Sequence, residues 1–144
     1  MKIYFCASIR GGRQLADHYE KIITMLQEHG QVLTEHLGSD DIIESKDRVL
    51  TDKQIHDRDM DWVRESDVLV AEVTVASLGV GYEIGRAIEL GKPVLCLFNM
   101  DSAFSLSAMI AGSEGVLNRK YQDLEEVPLL LEEFFIGRAP GRTF

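Results

Sequence analysis

A glycine-containing segment in the middle of the chain carries one carboxylate that could do chemistry. Gly79, Gly81 and Gly85 surround Glu83. Three residues separate the second and third glycines, which excludes a dinucleotide fingerprint, and no P-loop lysine follows. Glycine lets backbone N–H groups approach a ligand, and a helix N-terminus favours an anion. Two interpretations stay open: Glu83 faces a ligand, or it only complements a helix dipole from the first turn, a contribution of about 0.3–1 kcal/mol.

A second candidate is the turn Ala7-Ser8-Ile9-Arg10-Gly11-Gly12, directly after the first apolar run. A serine hydroxyl, glycine amides and one guanidinium can together hold a phosphate. The alternative is an ordinary surface turn with a solvated arginine. From these residues alone the two interpretations are even.

His56 and Asp59 stand one helical turn apart, a spacing that could serve a metal ion. No second histidine or cysteine cluster joins them, so a solvated acidic helix face is favoured and no metal or other cofactor is expected. The sequence has no GxSxG motif, and Cys6 and Cys96 lie in apolar runs, which disfavours acyl chemistry. His36, at the end of a predicted strand, could border a site, whereas His18 and His29 are placed on an exposed helix.

Composition and net charge limit the kinds of ligand that the protein can bind. The 144 residues, 45% hydrophobic and 27% charged, predict one globular domain over 1–144. A formal net charge of −9 disfavours nucleic-acid polymers and anionic membranes, so an anionic ligand must be small and held by local donors. No apolar run is long enough to span a bilayer, the N-terminus is typical of a strand rather than a signal peptide, and two reduced cysteines favour a cytoplasmic location.

Apolar runs alternate with helical patterns along the chain. Strands are predicted at 2–6, 31–36, 68–73 and 94–98, the third apolar except for Glu72. Helices are predicted at about 19–26, 55–63, 82–90 and 128–135, with a short one near 105–111 and a loop at 38–52. This alternation predicts an α/β, doubly wound (Rossmann- or flavodoxin-like) parallel sheet with helices on both faces, which binds ligands at the carboxyl ends of its strands.

Six blocks, in order, resemble the 2′-deoxynucleoside 5′-monophosphate N-glycosidases, within the nucleoside 2-deoxyribosyltransferase superfamily. They span residues 4–12, 32–36, 55–59, 67–87, 95–98 and 106–110 and cover most of the chain. The resemblance implies hydrolysis of the N-glycosidic bond of deoxynucleoside monophosphates to free base and 2-deoxyribose 5-phosphate. It implies a cytoplasmic protein, or a nuclear one if the source is eukaryotic.

The resemblance also implies roles for individual residues. Glu83 matches the nucleophile that forms a covalent deoxyribosyl-enzyme, Tyr4 the tyrosine that orients it, and Asp59 a catalytic aspartate that acts as an acid or positions the sugar and base. Donors from Tyr4 and the helix N-terminus are expected to favour ionised Glu83. The expected substrate-binding residues are Ser8, Ile9, Arg10, Gly11, His36, Ser77, Gly79, Ser107 and Met109. Of these, Ser107 matches a serine that reaches the phosphate from a neighbouring subunit, which implies a homodimer, and His36 matches the base side.

The chain departs from the family pattern at Ala7, where glycine is frequent, and at 99–101, which replaces a more basic, proline-containing stretch. The loop at 38–52 has its own length and composition, and base preference could lie there. Two alternatives remain: a nucleoside 2-deoxyribosyltransferase, which acts on free nucleosides and has no need of a phosphate cradle, and a non-catalytic nucleotide-binding module, which has no need of a nucleophile.

Overall fold

The structure, a computed structural model, describes residues 1–9, 13–34 and 50–138. Its strands are β1 (Lys2–Ala7), β2 (Gln31–Val32), β3 (Val68–Glu72), β4 (Val94–Asn99) and β5 (Val116–Tyr121). Its helices are α1 (Arg13–Gln27), α2 (Asp52–Glu65), α3 (Leu78–Glu89), α4 (Ala108–Ala111) and α5 (Val127–Ile136), the last preceded by a 3₁₀ turn at Leu124–Glu126.

All five strands are parallel, in the order β2-β1-β3-β4-β5. The predicted doubly wound α/β fold is therefore confirmed. The chain order reverses between β1 and β3, because β2 lies on one side of β1 and all later strands lie on the other. Such a switch point opens a crevice at the carboxyl ends of the two strands.

Side chains alternate between the two faces of the sheet, as the pleat requires. On β1, Ile3 and Phe5 pack with α1 and α5, whereas Tyr4 and Cys6 pack with α2 and α3. Both layers are closely buried, and Leu69, Val70, Leu95 and Cys96 have no exposed surface. The two faces of the sheet therefore have separate cores, and each can position different groups at the carboxyl edge.

Several predicted boundaries were wrong. The second strand is only Gln31–Val32, because Thr34 turns inward, accepts the N–H of Phe5 at 2.9 Å and donates to the carbonyl of Phe5. The loop predicted at 38–52 lies mostly outside the described residues, and α2 begins at Asp52. Its cap is reciprocal: Thr51 Oγ1 accepts from Gln54 N, and Gln54 Oε1 accepts from Thr51 N.

The fifth strand was not predicted. Its residues Val116-Leu117-Asn118-Arg119-Lys120-Tyr121 mix apolar and charged side chains, because β5 is an edge strand with most of its side chains only half-buried. The predicted helix near 105–111 is confined to Ala108–Ala111, whereas the last helix is close to its predicted position. No helix among the described residues is long and apolar enough to cross a membrane.

We predict that Leu95→Ala lowers the free energy of unfolding by about 2–5 kcal/mol. Leu95 lies in a central strand and has no exposed surface, so truncation leaves a cavity within the sheet. Urea denaturation measures the effect. The matched control is Leu129→Ala on α5, where the side chain is 61% exposed and the expected change is within about 0.5 kcal/mol. Equal losses in both variants would contradict the placement of Leu95.

Candidate active site

Tyr4 and Glu83 form a hydrogen-bonded pair at the switch point. The Tyr4 hydroxyl donates to Glu83 Oε1 at 2.7 Å. Tyr4 rises from β1 with 2% of its surface exposed, and Glu83 faces it from α3, 79 residues further along the chain. The pair predicted from resemblance therefore exists as a contact. This hydrogen bond uses Oε1 of Glu83 and does not involve Oε2.

Burial dominates the ionisation of Glu83. Loss of solvent raises the pKa of its carboxyl to about 7, and the nearby charge of Asp59 adds to the rise. The hydrogen bonds from Tyr4 and Cys6 lower this pKa but do not outweigh burial. The Tyr4 hydrogen bond therefore favours the ionised form of Glu83, as expected, but burial outweighs it and the pKa stays above its ordinary value. Burial and the Glu83 charge also raise the pKa of the Tyr4 hydroxyl, which keeps Tyr4 a donor.

The glycines near Glu83 lie inside α3 and do not form a turn ahead of it. The helix begins at Leu78, with Ser77 as its N-cap, and Ser77 Oγ accepts the N–H of Val80 at 3.3 Å. Glu83 consequently stands in the second turn, and the first turn carries no acidic residue. The interpretation of Glu83 as a first-turn partner of the helix dipole was wrong. Its side chain instead points toward the sheet, where Tyr4 meets it.

Ser77 and Gly79 occupy the N-terminal end of α3, where backbone N–H groups lack helical carbonyl partners. A Cβ at Gly79 would meet only Ser77 Oγ, at 3.8 Å, and one at Gly81 would meet nothing within 4 Å. The chain itself does not require glycine at these positions. The open surface leaves room for a group outside the helix, and this end of a helix favours an anion.

Asp59 reaches the same cavity from α2. Its Oδ1 accepts from Arg58 Nε at 2.9 Å, and the guanidinium of Arg58 lies 4.9 Å from the centre of the Trp62 ring. Both side chains of the ion pair are about a quarter exposed, so the pair borders the cavity rather than filling it. The structure thus brings Asp59 toward Glu83, as the resemblance implied.

His56 does not pair with Asp59. Its Nδ1 contacts Asp57 Oδ1 at 2.9 Å, and its Nε2 contacts the Tyr82 hydroxyl at 2.9 Å, which joins α2 to α3. His56 and Tyr82 line the outer part of the site. From the sequence, His56 was weighed only as a metal ligand beside Asp59, and Tyr82 was given no role. The available signal was the placement of Tyr82 directly before Glu83 and of His56 one turn before Asp59.

Two adjoining cavities surround the pair. The inner one has a volume of about 180 Å³ and the outer one about 240 Å³, and Ile55, Asp59, Gly79 and Glu83 line both. Ile9, Thr34 and Ser77 also line the inner cavity, and Ser8 is buried close by at the end of β1. Arg10, Gly11 and His36 lie outside the described residues.

Ser107 and Met109 are not in these cavities. They line a larger, mostly apolar groove of about 490 Å³ on the other side of the α3 N-terminus. Ser77 and Val80 line both this groove and the inner cavity. Within one chain, Ser107 therefore lies across the α3 N-terminus from Glu83.

Metal-ligand clusters and reactive thiols are absent from the described residues. No group of three or more His, Cys, Asp or Glu side chains there could hold a metal ion. Cys6 and Cys96 are buried and free, and burial raises the pKa of both thiols, that of Cys96 to about 12.

The fold and this site define an α/β protein with a buried, hydrogen-bonded glutamate at the switch point of a parallel sheet. The chain belongs to the nucleoside 2-deoxyribosyltransferase family, whose model matches residues 3–125. A 5-hydroxymethyl-dUMP N-hydrolase of Tetraodon nigroviridis is 49% identical over 138 residues, which cover 94% of this chain and 97% of that protein.

Two solved structures share the fold. The CMP N-glycosidase BcmB of Clostridium botulinum superposes with a TM-score of 0.69 at 19% sequence identity, over 93% of this chain and 99% of that one. A 2-deoxyribosyltransferase from Bacillus psychrosaccharolyticus gives 0.64 at 19% identity, over 89% and 90%. Because a hydrolase and a transferase are both similar at this level, these structures establish the architecture only.

We predict that Glu83→Gln raises the free energy of unfolding relative to the wild type, and that this increase is larger at pH 8 than at pH 5. The carboxyl has a pKa of about 7 in the folded protein against an ordinary value of 4.5, so the folded state binds more protons between these pH values. The stability that the protonated Glu83 carboxyl contributes is therefore fully present below pH 4.5 and is lost as the pH rises through 7. This loss in the free energy of unfolding is at most roughly 3 kcal/mol. Glutamine does not titrate, so the variant lacks this loss.

Urea denaturation of wild type and Glu83→Gln at both pH values measures the difference. Glu89→Gln, on the exposed side of the same helix, is the matched control and is expected to follow the wild type. A pH dependence in Glu83→Gln equal to that of the wild type would show that Glu83 is ionised in the folded protein throughout this range.

Proposed function

We propose that the protein is a hydrolase that cleaves the N-glycosidic bond of 2′-deoxynucleoside 5′-monophosphates, as one domain over 1–144. The observation that carries the proposal is the buried Tyr4–Glu83 pair at 2.7 Å, in a chain 49% identical to a 5-hydroxymethyl-dUMP N-hydrolase. The products are a free base and 2-deoxyribose 5-phosphate.

The reaction proceeds in two displacements at C1′ of the sugar. The Glu83 carboxylate forms a bond to C1′ while the C1′–N bond breaks, and the base leaves with that electron pair and takes up a proton. Water then attacks C1′ of the glycosyl ester, releases Glu83 and supplies the hydroxyl of the sugar product. A 2-deoxy sugar lacks the electron-withdrawing 2-hydroxyl, so its oxocarbenium-like transition state is easier to reach.

Tyr4 and Asp59 support these steps in different ways. Tyr4 remains protonated and holds one oxygen of Glu83, which leaves the other to attack. Asp59 lies at the entrance to the same cavity, where it contacts the sugar and base. A Glu83 pKa of about 7 leaves a substantial fraction of the carboxylate available as a nucleophile at neutral pH. In the second step Glu83 is the leaving group, so the proton that the attacking water loses passes to the solvent.

The phosphate is bound where β1 and α3 present donors side by side. Ser8 and Ile9 follow β1, Ser77 caps α3 and Gly79 lies in its first turn. Arg10 and Gly11, the next residues of the sequence, are assigned to the same phosphate. Each charge-assisted hydrogen bond contributes about 1.5–3 kcal/mol, so a few suffice to select nucleotides over nucleosides. Against a net charge of −9, these local donors make the site compatible with an anion. His36 is assigned to the base side.

A direct assay separates this function from its alternatives. Each deoxynucleoside monophosphate and its free nucleoside is incubated with the protein, and released base is quantified by chromatography. We expect base release from nucleotides only, and a loss of roughly 1,000-fold or more in kcat for Glu83→Gln, since the nucleophile is removed. Glu89→Gln, in the same helix, is expected to keep full activity.

Other outcomes are equally clear. Turnover of free nucleosides that requires an added acceptor base would indicate a deoxyribosyltransferase. Nucleotide binding without base release would indicate a binding module. Undiminished activity in Glu83→Gln would exclude Glu83 as the nucleophile.

We further propose that the protein is a homodimer in which Ser107, with Met109 beside it, completes the neighbouring site. Leu78 is 97% exposed and Met109 82% exposed, and both line the apolar groove beside Ser77. Exposed apolar groups clustered in this way mark interaction surfaces. A second copy placed there would bring its own Ser107 close to the phosphate side. Two buried, free cysteines suit a cytoplasmic location.

Mixed dimers test this arrangement. Glu83→Gln and Ser107→Ala each impair the sites of a homodimer, but a mixed dimer contains one site with both residues intact if Ser107 acts across the interface. We expect each mixed dimer to recover the activity of one wild-type site, which is half the activity of a wild-type dimer. Leu78→Asp is expected to yield monomers by analytical ultracentrifugation. No recovery in verified mixed dimers would place Ser107 in the site of its own chain.

A further inference from the structure

A second buried carboxyl lies on the opposite face of the sheet from Glu83. Glu72 ends β3 with 1% of its surface exposed, and strand alternation directs it toward α1 and β5. It pairs in register with Ala7, the residue before Ser8. The mechanism above does not use it.

Thr74 connects this carboxyl to two segments of the site. Glu72 Oε1 accepts from the N–H of Thr74 at 3.3 Å and from its hydroxyl. The Thr74 Oγ1 in turn accepts the N–H of Asn99 at 2.8 Å. One hydroxyl therefore joins the β3–α3 connection, which ends at Ser77, to the end of β4, from which the chain continues to Ser107.

Tyr121 connects the same carboxyl to α1. Its hydroxyl donates to Glu72 Oε1 at 3.4 Å and contacts His18 Nε2 at 2.6 Å, and the two rings stack with centroids 5.9 Å apart. His18 was expected on an exposed helix face, and this contact makes it half-buried. The network thus extends to α1, which follows the segment 8–12 in the sequence.

Burial of Glu72 is unfavourable for stability. Desolvation raises the pKa of its carboxyl, and Oε2 has no hydrogen-bond partner among the described residues. A buried polar atom without a partner is destabilising, and an apolar side chain would suit this strand better. Its neighbours on the strand, Val70 and Ala71, are both fully buried apolar residues. The carboxyl therefore has a role other than packing.

We propose that Glu72 is a positioning residue for the phosphate side of the site. It holds the connection that carries Ser77, the end of β4 and α1 at fixed distances from one another, and so sets the spacing of the phosphate donors. The inference rests on the proposed function for the identity of the ligand. It assigns a role to the face of the sheet that does not contact the nucleophile.

The test uses the full chain and the probe 2-deoxyribose 5-phosphate, which contains the phosphate and is not turned over. Its Kd is measured by isothermal titration calorimetry. Thr74→Val and Glu72→Leu, which remove the hydrogen bonds at similar volume, are expected to raise the Kd about tenfold or more. Thr74→Ser and Glu72→Gln keep an acceptor and donor at these positions and are expected to stay within about threefold of the wild type.

A tyrosine pair provides the matched control. Tyr121→Phe removes the contact with Glu72 and is expected to weaken binding. Tyr19→Phe removes a nearby buried hydroxyl that has no hydrogen-bond partner among the described residues, and is expected to leave the Kd unchanged. Amide hydrogen exchange supplies a readout independent of any ligand: in Thr74→Val, faster exchange is expected at 74–77 and at Asn99.

The outcomes distinguish this inference from the proposed function. Normal binding by the wild type with unchanged Kd in Thr74→Val and Glu72→Leu overturns the inference alone. Equal weakening in all variants, Thr74→Ser and Tyr19→Phe included, shows a general packing role and overturns it as well. Unchanged amide hydrogen exchange in Thr74→Val would show that Thr74 does not hold these segments together, and it overturns the inference whatever the Kd. Absence of wild-type binding and of base release overturns the proposed function, and with it a phosphate role for Glu72.

Discussion

The hydrogen bond between Tyr4 and Glu83 is the interaction on which the rest of the site depends. It joins the first strand to the third helix and holds a carboxyl in a place where water would otherwise solvate it. Burial raises the pKa of Glu83 to about 7 and the hydrogen bond opposes that rise, so the carboxyl is poised between its two forms near neutral pH. A fully solvated glutamate would be ionised but strongly hydrated, and a fully isolated one would be neutral. The reactivity proposed for Glu83 requires this intermediate condition, which burial and the hydrogen bonds from Tyr4 and Cys6 set together.

The parallel sheet makes that condition possible, because its strand order brings distant segments to one edge. The two faces serve different purposes there. On one face, α2 and α3 contribute Asp59 and Glu83 to a cavity, with His56 and Tyr82 joining the two helices outside it. On the other face, Glu72 links β3, β4, β5 and α1 through Thr74 and Tyr121. Glu83, the proposed nucleophile, and Glu72, the proposed positioning residue, thus lie on opposite faces of the sheet.

The negative net charge of the chain limits binding of large anions more than binding of small ones. A net charge of −9 disfavours a polyanion, which samples the whole surface, but a monophosphate samples only a few ångströms. Backbone amides at the N-terminus of α3 provide a short-range positive environment, to which the proposed phosphate site adds Ser8 and Arg10 from the segment after β1. The apolar groove beside the same N-terminus gives the proposed second subunit a place to approach the phosphate. The proposed phosphate site and the proposed dimer interface therefore share the N-terminal end of α3.

The sequence by itself determined the alternation of strands and helices and, through the family resemblance, the pairing of Tyr4 with Glu83. The apolar runs of β1, β3 and β4 are continuous because both faces of these strands are covered, so local pattern sufficed to predict them. It failed for β5, where an edge strand keeps charged side chains, and for the start of α3, where glycines resemble a turn although Ser77 caps a helix that contains them. Only the tertiary structure decided that Glu83 is buried enough for desolvation to outweigh its hydrogen bonds, that His56 contacts Tyr82 rather than Asp59, and that Glu72 meets Tyr121 and Thr74. Burial and contacts across 26 to 79 residues depend on how the elements pack, and no local pattern of residues encodes those distances.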